Sequence, residues 1–302
     1  MREKRILMTR TLMIVASLTL ALSPLMAADF QCTAANVAAG ETWTETGEYN
    51  SSLTITIFDS ARELEPIVTP GTSVTRTKTV KITGVGSGSG KIESVEVTYS
   101  SASVAAVVGK TYAVTVNGNH VDVDYAPPTT GTPSTAELAY VAGDNSHFGQ
   151  FRAINKIFGG QTFSPNEGTR HINKNDAEEL VNSSDDVSVE SIDINFNEVL
   201  ANGNGSFDVT VKLKSNMKSN SKSTDEQPNA TPFTGQLTMD LGGRFELNPS
   251  TCRPTHVVLN GSNTMEATKS AKGNAGKGRD KMTVSGSGLT HISHTYTFPS
   301  AP

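Results

Sequence analysis

The stretch GKTYAVTVNGNHVDVDY, residues 109–125, contains two runs of alternating apolar and polar residues joined by Asn117-Gly118. Successive side chains point to opposite faces of a strand, so each run predicts a strand with one buried face. Asn-Gly favours the type I′ turn of a two-residue hairpin loop. The cross-strand pairs expected from this turn are Val114 with Val121 and Tyr112 with Val123. Because this register also gathers the large apolar side chains on one face, the stretch predicts an antiparallel β-hairpin.

The second run carries three potential metal ligands at alternate positions, His120, Asp122 and Asp124. An imidazole together with carboxylates is a ligand set for Zn²⁺ or a hard cation. In the predicted hairpin, however, these side chains lie opposite threonine and alanine, which complete no metal cage. The pattern is typical of a strand whose outer face meets water. We therefore predict a solvated face rather than a metal site.

The strand pattern is interrupted between residues 134 and 182, where apolar residues recur at spacings of three and four. Ser134 and Glu137 form the capping-box pattern that opens a helix. A third short helix is expected from Asp176 to Asn182, capped by Asn175. The apolar face of the second helix comprises Phe148, Phe151, Ile154 and Phe158.

Strand patterns return in residues 183–302. The turn NGNG, residues 202–205, is expected to join two strands. It aligns Ile192, Ile194, Phe196 and Leu200 with Phe207, Val209, Val211 and Leu213. A further hairpin is predicted with Gly242-Gly243-Arg244 as a three-residue loop. That loop would place Leu237, Met239 and Leu241 against Phe245 and Leu247.

The chain begins with a basic segment, MREKRILMTR, followed by the uncharged stretch TLMIVASLTLAL, residues 11–22. The apolar stretch is shorter than the ~20 residues of a membrane-spanning helix. This pattern predicts a secretory signal peptide over residues 1–27, cleaved near Ala27/Ala28. We expect the remaining chain to be secreted or periplasmic and not to span the membrane after cleavage.

The chain has 2 cysteines, Cys32 and Cys252. An exported protein meets an oxidising compartment, so these residues predict a disulfide. Closing so long a loop constrains the unfolded chain by roughly 5 kcal/mol.

Residues 28–200 carry 10 Lys and Arg against 22 Asp and Glu, whereas residues 201–302 carry 11 against 7. The negative total argues against nucleic acid as a partner.

Three further patterns resemble functional sites. His291 and His294 are three apart, so on a strand they point to opposite faces and cannot share one ion. We expect His294 on the apolar face with a hydrogen-bond partner. The segment GNAGKG, residues 273–278, is not followed by the helix that a phosphate-binding loop requires. No serine of the chain lies in the nucleophile-elbow motif G-x-S-x-G. We therefore predict no catalytic, cofactor-binding or metal-binding residues.

Three segments precede the second β block in a fixed order: GKTYAVTVNG at 109–118, ELAYVAGDNSHFG at 137–149 and FSPNEGTRHI at 163–172. With this order of parts, residues 74–260 resemble uncharacterised secreted or lipoprotein-type β-rich proteins of bacterial envelopes. The resemblance implies an envelope location. It implies no reaction and no functional residues.

These features predict a mainly β (α+β) protein with antiparallel curved sheets or a half-open barrel and a small helical insert. After the signal peptide, the expected parts are an N-terminal β block (28–128), the helical insert (134–182) and a C-terminal β block (183–302). The aromatic content, 6%, is low for the aromatic girdles of a transmembrane barrel.

The first functional hypothesis is an exported, non-enzymatic envelope protein that binds or carries an apolar or lipid-like ligand. Its partner would be lipid or another envelope component. The ligand-facing residues would be Phe148, Phe151, Ile154 and Phe158. The alternative is a structural or adhesive surface protein, and a hydrolase is the third hypothesis. A carrier predicts an apolar cavity behind the helical insert, whereas a structural module would be packed solid.

Overall fold

The structure is a computed structural model of the chain. It describes residues 28–59, 62–63, 66–87, 91–117, 120–145, 150–181, 187–218, 233–270 and 281–299. The expected signal peptide and Phe148 lie outside the described residues.

Strands account for most of the described chain. The N-terminal strands are β1 (Phe30–Gln31), β2 (Thr42–Asp59), β3 (Arg62–Glu63), β4 (Ile67–Val85), β5 (Ile92–Ala102), β6 (Thr111–Asn117) and β7 (His120–Tyr125). Three helices follow with two short strands between them: α1 (Thr135–Asp144), α2 (Gln150–Phe158), β8 (Thr162–Phe163), β9 (Arg170–His171) and α3 (Lys174–Val181). The C-terminal strands are β10 (Val187–Val199), β11 (Gly205–Lys218), β12 (Phe233–Leu247), β13 (Pro254–Ser270) and β14 (Lys281–Thr297). A 3₁₀ turn spans Ala105–Val107.

One antiparallel sheet runs through both β blocks in the order β7-β6-β5-β4-β2-β14-β13-β12-β11-β10-β9. The blocks join where β2 pairs with β14 along most of its length, from Asp59 opposite Met282 to Thr44 opposite Thr297. Within the described residues the two edge strands, β7 and β9, do not pair, so the sheet stays open. The predicted mainly β fold with antiparallel curved sheets and a helical insert is confirmed.

The inner face of the sheet carries two apolar clusters. One contains Trp43, Val80, Tyr99 and Tyr112 of the N-terminal strands, together with Val141 of α1 and Phe151 of α2. The other contains the inward residues of β10 and β11, with Phe30, Phe158 and Phe163 packed on them. The helical insert therefore covers the inner face of the sheet along both blocks.

The hairpin of residues 109–125 forms, but its register differs from the expected one. Tyr112 lies opposite Tyr125, and Val114 lies opposite Val123. Asn117 lies opposite His120. A shift of two residues preserves which side chains share a face. It also lets the Tyr125 hydroxyl donate to Glu137 of α1 at 2.8 Å, a contact that a turn rule does not consider.

The predicted hairpin around Gly242-Gly243-Arg244 is wrong, because β12 continues through these residues. Gly243 lies opposite both Val209 of β11 and Leu259 of β13. A Cβ at Gly243 would overlap the Val258 carbonyl group. The glycine therefore permits close approach of the neighbouring strand rather than a turn. The predicted NGNG hairpin forms, but its register differs from the one that a loop over residues 202–205 gives, because Phe196 lies opposite Phe207 and Val199 lies opposite Gly205. Strand β10 ends at Val199, so Leu200 is not part of the paired rows.

The predicted capping box at the start of α1 is confirmed. The Ser134 side chain accepts from the Glu137 backbone N–H, and Glu137 Oε2 accepts from the Ser134 backbone N–H at 2.9 Å. The predicted cap of α3 is wrong by two residues. Asn173, not Asn175, accepts from the backbone N–H of Asp176 at 3.1 Å. Its amide also donates to the Asp176 carboxylate, so the helix begins earlier than expected.

The predicted disulfide between Cys32 and Cys252 is confirmed, with their Cα atoms 5.1 Å apart. Both cysteines are buried in the C-terminal apolar cluster. The bond places the adjacent Phe30 against Phe207 of β11, with ring centroids 5.5 Å apart. The N-terminal segment of the described chain is thus packed into the C-terminal half of the protein.

Candidate functional site

A cavity of about 460 Å³ lies between the inner face of the sheet and the helical insert. Its walls come from both β blocks and from all three helices. Most of the lining side chains are apolar. They are Trp43, Val80, Ile92, Phe151, Ile154, Phe158, Ile172, Leu180, Val181, Ile192, Ile194, Val209, Val211, Leu213, Leu241, Phe245, Pro254, Val257, Leu259 and Ile292.

The N-terminal side of the cavity is different, because it carries charged side chains. Arg76 and Lys78 lie on β4 at positions that share the inward face with Val80, since side chains two apart point the same way. Glu45 on β2 lies on the same inward face and directly opposite Lys78. All three residues are buried. A buried charge is stable only when it is paired, so their contacts decide what this wall can do.

The last residue of α1, Asp144, completes a set of ion pairs with these strands. Its carboxylate contacts Arg76 Nε, and its Oδ2 lies 2.9 Å from Lys78 Nζ. Arg76 Nη2 also donates to Glu45 Oε1 at 2.6 Å. A negative charge at a helix C-terminus is disfavoured by the helix dipole. The two cations of β4 therefore hold Asp144 in place.

Hydrogen bonds extend this cluster to Tyr99 and Asn145. The Tyr99 hydroxyl donates to Asp144 Oδ2 at 2.8 Å, and Asn145 Nδ2 donates to the Tyr99 hydroxyl at 2.7 Å. Lys78 Nζ also donates to Asn145 Oδ1 at 2.9 Å. Burial, together with the charge of Asp144, raises the pKa of Tyr99, so its hydroxyl keeps its proton.

The pKa of Glu45 is strongly shifted by its surroundings. Burial alone would raise its pKa. The charge of Lys78 and the hydrogen bond with His294 act in the opposite direction, with a further contribution from Arg76. Together they lower the pKa of Glu45 from 4.5 to about 2. Glu45 is therefore a carboxylate at neutral pH, paired with Arg76 and Lys78.

His294 and Tyr296 of β14 complete the polar wall. His294 Nδ1 lies 3.1 Å from Glu45 Oε1, and its ring stacks on that of Tyr296 with centroids 6.0 Å apart. Both residues line the cavity. Burial, followed by the charge of Glu45, raises the pKa of Tyr296. The prediction of an inward His294 with a hydrogen-bond partner is confirmed.

A glycine makes room for this cluster. Gly47 lies opposite both Arg76 of β4 and His294 of β14. A Cβ at Gly47 would lie 2.8 Å from Arg76 Cζ and would overlap one guanidinium nitrogen. The Arg76 side chain therefore crosses β2 at Gly47, which lies between the inward residues Glu45 and Tyr49 and has no side chain to block it.

The position of α1, and so of Asp144, is fixed at its other end by Glu137. This buried carboxylate accepts from Lys110 Nζ at 2.7 Å and from the hydroxyls of Tyr112 and Tyr125, each at 2.8 Å. The hydrogen bonds from Lys110 and Ser134 hold the pKa of Glu137 well below its usual range. The N-terminus of α1 is thereby fastened to β6 and β7.

Three of the four residues predicted to face a ligand, Phe151, Ile154 and Phe158, line the cavity. The fourth, Phe148, lies outside the described residues. A role in ligand binding remains a prediction for all four. His120 and Asp122 lie on an exposed face, as expected. Among the described residues, no three His, Cys, Asp or Glu side chains are grouped to hold a metal ion.

The site residues predicted from the sequence do not include Glu45, Arg76, Lys78 or Asp144. A signal was available for two of them, because Arg76 and Lys78 alternate in step with the apolar Val80 and Ile82. Cations on the apolar face of a strand indicate buried, paired charges. No comparable pattern points to Asp144.

Within the part of the chain that the structure describes, no helix is long and apolar enough to cross a membrane.

The sequence matches no protein-family model and no curated protein. Among solved structures, lipovitellin, from a structure of its lipid–protein interactions, is similar over 88% of this chain and 26% of that chain, with 8% identity and a TM-score of 0.31. This chain thus spans about a quarter of lipovitellin. The P. putida toluene transporter TodX is similar over 88% of this chain and 92% of that chain, with 9% identity and a TM-score of 0.21. The Yersinia pestis protein Ail has a TM-score of 0.11. Likenesses this weak carry no argument about function.

Proposed function

We propose that the protein is an exported, non-enzymatic envelope protein that binds or carries an apolar or lipid-like ligand in the cavity behind its helical insert. The observation that supports this function is the cavity of about 460 Å³. Ligand sites typically enclose about 300–1,000 Å³, have mostly apolar walls and include a few convergent polar groups. A structural module would be packed solid at this position, so the cavity favours a carrier over a structural or adhesive protein.

The size and chemistry of the walls suit a chain-like apolar ligand. Each methylene group transferred from water into such a site contributes about 0.8 kcal/mol. The apolar residues surround the ligand from both the sheet and the helices, whereas the charged cluster occupies one side. We therefore expect an apolar ligand to enter with a defined orientation.

The first test is to purify the protein from its native envelope and to look for bound lipid by native mass spectrometry. The second test uses N-phenyl-1-naphthylamine, an uncharged probe whose fluorescence rises in apolar surroundings. We expect both co-purified lipid and saturable probe binding.

A pair of matched variants on β13 links binding to the cavity. Val257 lines the cavity, whereas its neighbour Val258 points to the other face of the strand. Val257→Trp fills the cavity and is expected to weaken probe binding by at least about tenfold. Val258→Trp adds the same ring outside and should bind like the unmodified protein. Circular dichroism checks that both variants fold. A folded Val257→Trp variant with unchanged binding would contradict the proposed function, as would an unmodified protein without lipid or probe binding.

A further inference from the structure

We infer that the ligand is an uncharged amphiphile whose head group both donates and accepts hydrogen bonds, such as an alcohol or a primary amide, and that His294 and Tyr296 hold this head group. The inference rests on the proposed function and specifies the chemical class of the ligand. It follows from the charge balance of the polar wall and from the hydrogen-bonding groups that this wall leaves unused.

With a neutral His294, the charges of the polar wall balance. Arg76 and Lys78 contribute two positive charges, and the carboxylates of Glu45 and Asp144 contribute two negative charges. A carboxylate or ammonium head group would bring a further charge with no counter-ion. Removing an ion from water costs several kcal/mol when that ion is unpaired. An uncharged head group avoids this cost.

The hydrogen bond between His294 and Glu45 determines what the imidazole offers to a ligand. An ionised carboxylate only accepts hydrogen bonds, so Nδ1 of His294 must carry the proton that lies between them. In the neutral ring, Nε2 is then an acceptor. Among the described residues, Nε2 of His294 has no hydrogen-bond partner, and the side chain is 22% exposed where it lines the cavity. The histidine therefore requires a donor from the ligand.

Tyr296 offers the complementary group. It lies two residues along β14 from His294, on the same face, and the two rings are nearly parallel at 18°. Its hydroxyl has no hydrogen-bond partner in the described part of the chain. A phenol that keeps its proton donates, so it requires an acceptor from the ligand. A hydroxyl or a primary amide satisfies both requirements, whereas an ester satisfies only the second.

Displacement of N-phenyl-1-naphthylamine by matched ten-carbon amphiphiles tests the inference on the unmodified protein. The series is decanol, decanamide, methyl decanoate, decanoate and decyltrimethylammonium. It is measured near pH 8, above the usual imidazole pKa of about 6.5. Decanol and decanamide are expected to displace the probe at concentrations at least about tenfold lower than the other three ligands.

Two variants assign the preference to the named residues. His294→Phe keeps an aromatic ring beside Tyr296 but removes the acceptor, so decanol should lose its advantage over methyl decanoate. Tyr296→Phe removes the donor and should weaken decanol, decanamide and methyl decanoate together. His291→Phe is the matched control, because His291 lies on the same strand and bonds Asn260 on the outer face. It should keep the full preference of the unmodified protein.

The outcomes separate this inference from the proposed function. Probe binding that Val257→Trp abolishes, combined with equal or stronger displacement by methyl decanoate, decanoate or decyltrimethylammonium, would overturn the inference and leave the carrier function standing. A preference for decanol that survives His294→Phe would also overturn it. If neither the probe nor any member of the series binds, the proposed function fails and the inference fails with it.

Discussion

The two halves of the inner face differ in how they are stabilised. In the C-terminal half, the inward side chains from Ile192 to Phe196 of β10 and from Phe207 to Leu213 of β11 are hydrocarbon. Five aromatic rings surround Phe207. In the N-terminal half, the inward face of β4 carries Arg76 and Lys78, which require partners from β2 and α1. Apolar packing tolerates many arrangements of similar volume. Buried charges tolerate few, because each unpaired member is costly. The charged half therefore fixes the position of α1 and the polarity of one cavity wall.

The largest expected effect comes from the apolar half. Phe207→Ala removes a fully buried ring and leaves a cavity, so the free energy of unfolding should fall by about 4 kcal/mol. Urea unfolding followed by circular dichroism measures this change. Leu289→Ala is the control, because Leu289 is 69% exposed and its loss should cost less than about 0.5 kcal/mol. A similar small loss for Phe207→Ala would mean that this half is not a packed core.

In the charged half, Lys78→Met should lower the free energy of unfolding by about 3 kcal/mol. The reason is that Glu45 and Asp144 remain buried with one counter-charge fewer. Lys81→Met on the same strand breaks an exposed pair with Glu96, 3.1 Å apart, and should cost less than about 1 kcal/mol. Equal losses of unfolding free energy for the two variants would show that the inward cluster contributes no more to stability than a surface ion pair.

Acid should destabilise the charged half through Glu45. Its pKa is depressed in the folded protein, from 4.5 to about 2. The stability that this carboxylate contributes is therefore present above pH 4.5 and is lost as the pH falls towards 2. The full contribution is roughly 3 kcal/mol, and the part lost increases as the pH falls through this window. Unfolding free energies of the unmodified protein and of Glu45→Gln, measured across the window, isolate this contribution. The difference between the two proteins should shrink as the pH falls, and a constant difference would exclude Glu45 as its source.

The smallest effect tests the space reserved for Arg76. Gly47→Ala places a methyl group against the guanidinium and should cost about 2 kcal/mol, because the ion pair with Glu45 must shift. Gly242→Ala on β12 is the matched glycine of the other half. A Cβ there meets only the Val209 carbonyl oxygen at 3.9 Å, so this change should be nearly neutral. Comparable thermal unfolding of both variants would show that Gly47 has no special role.

Several features of the protein were readable from local patterns. Strand alternation predicted the inward rows of both blocks, Ser134 and Glu137 predicted the start of α1, and the lone cysteine pair predicted the disulfide. Strand alternation and the helix cap depend on backbone geometry and on hydrogen bonds within a few residues. The disulfide follows from the number of cysteines. Local rules failed in two places. Turn preference placed a loop at Asn117-Gly118, but Asn117 lies opposite His120. Glycine preference placed a loop at Gly242, but pairing of β12 with both β11 and β13 carries the strand through it.

The sequence by itself determined which faces of the strands are apolar, and it contained the signal that Arg76 and Lys78 point inward. Only the tertiary structure decided what meets them. Asp144 reaches Lys78 from 66 residues along the chain, and His294 reaches Glu45 from 249 residues away. Side-chain alternation is a local property of the extended backbone of a single strand, so it can be read from the sequence. The cavity and its polar wall depend on how far the sheet curves and where α1 docks, and these are set by contacts between segments that no local pattern links.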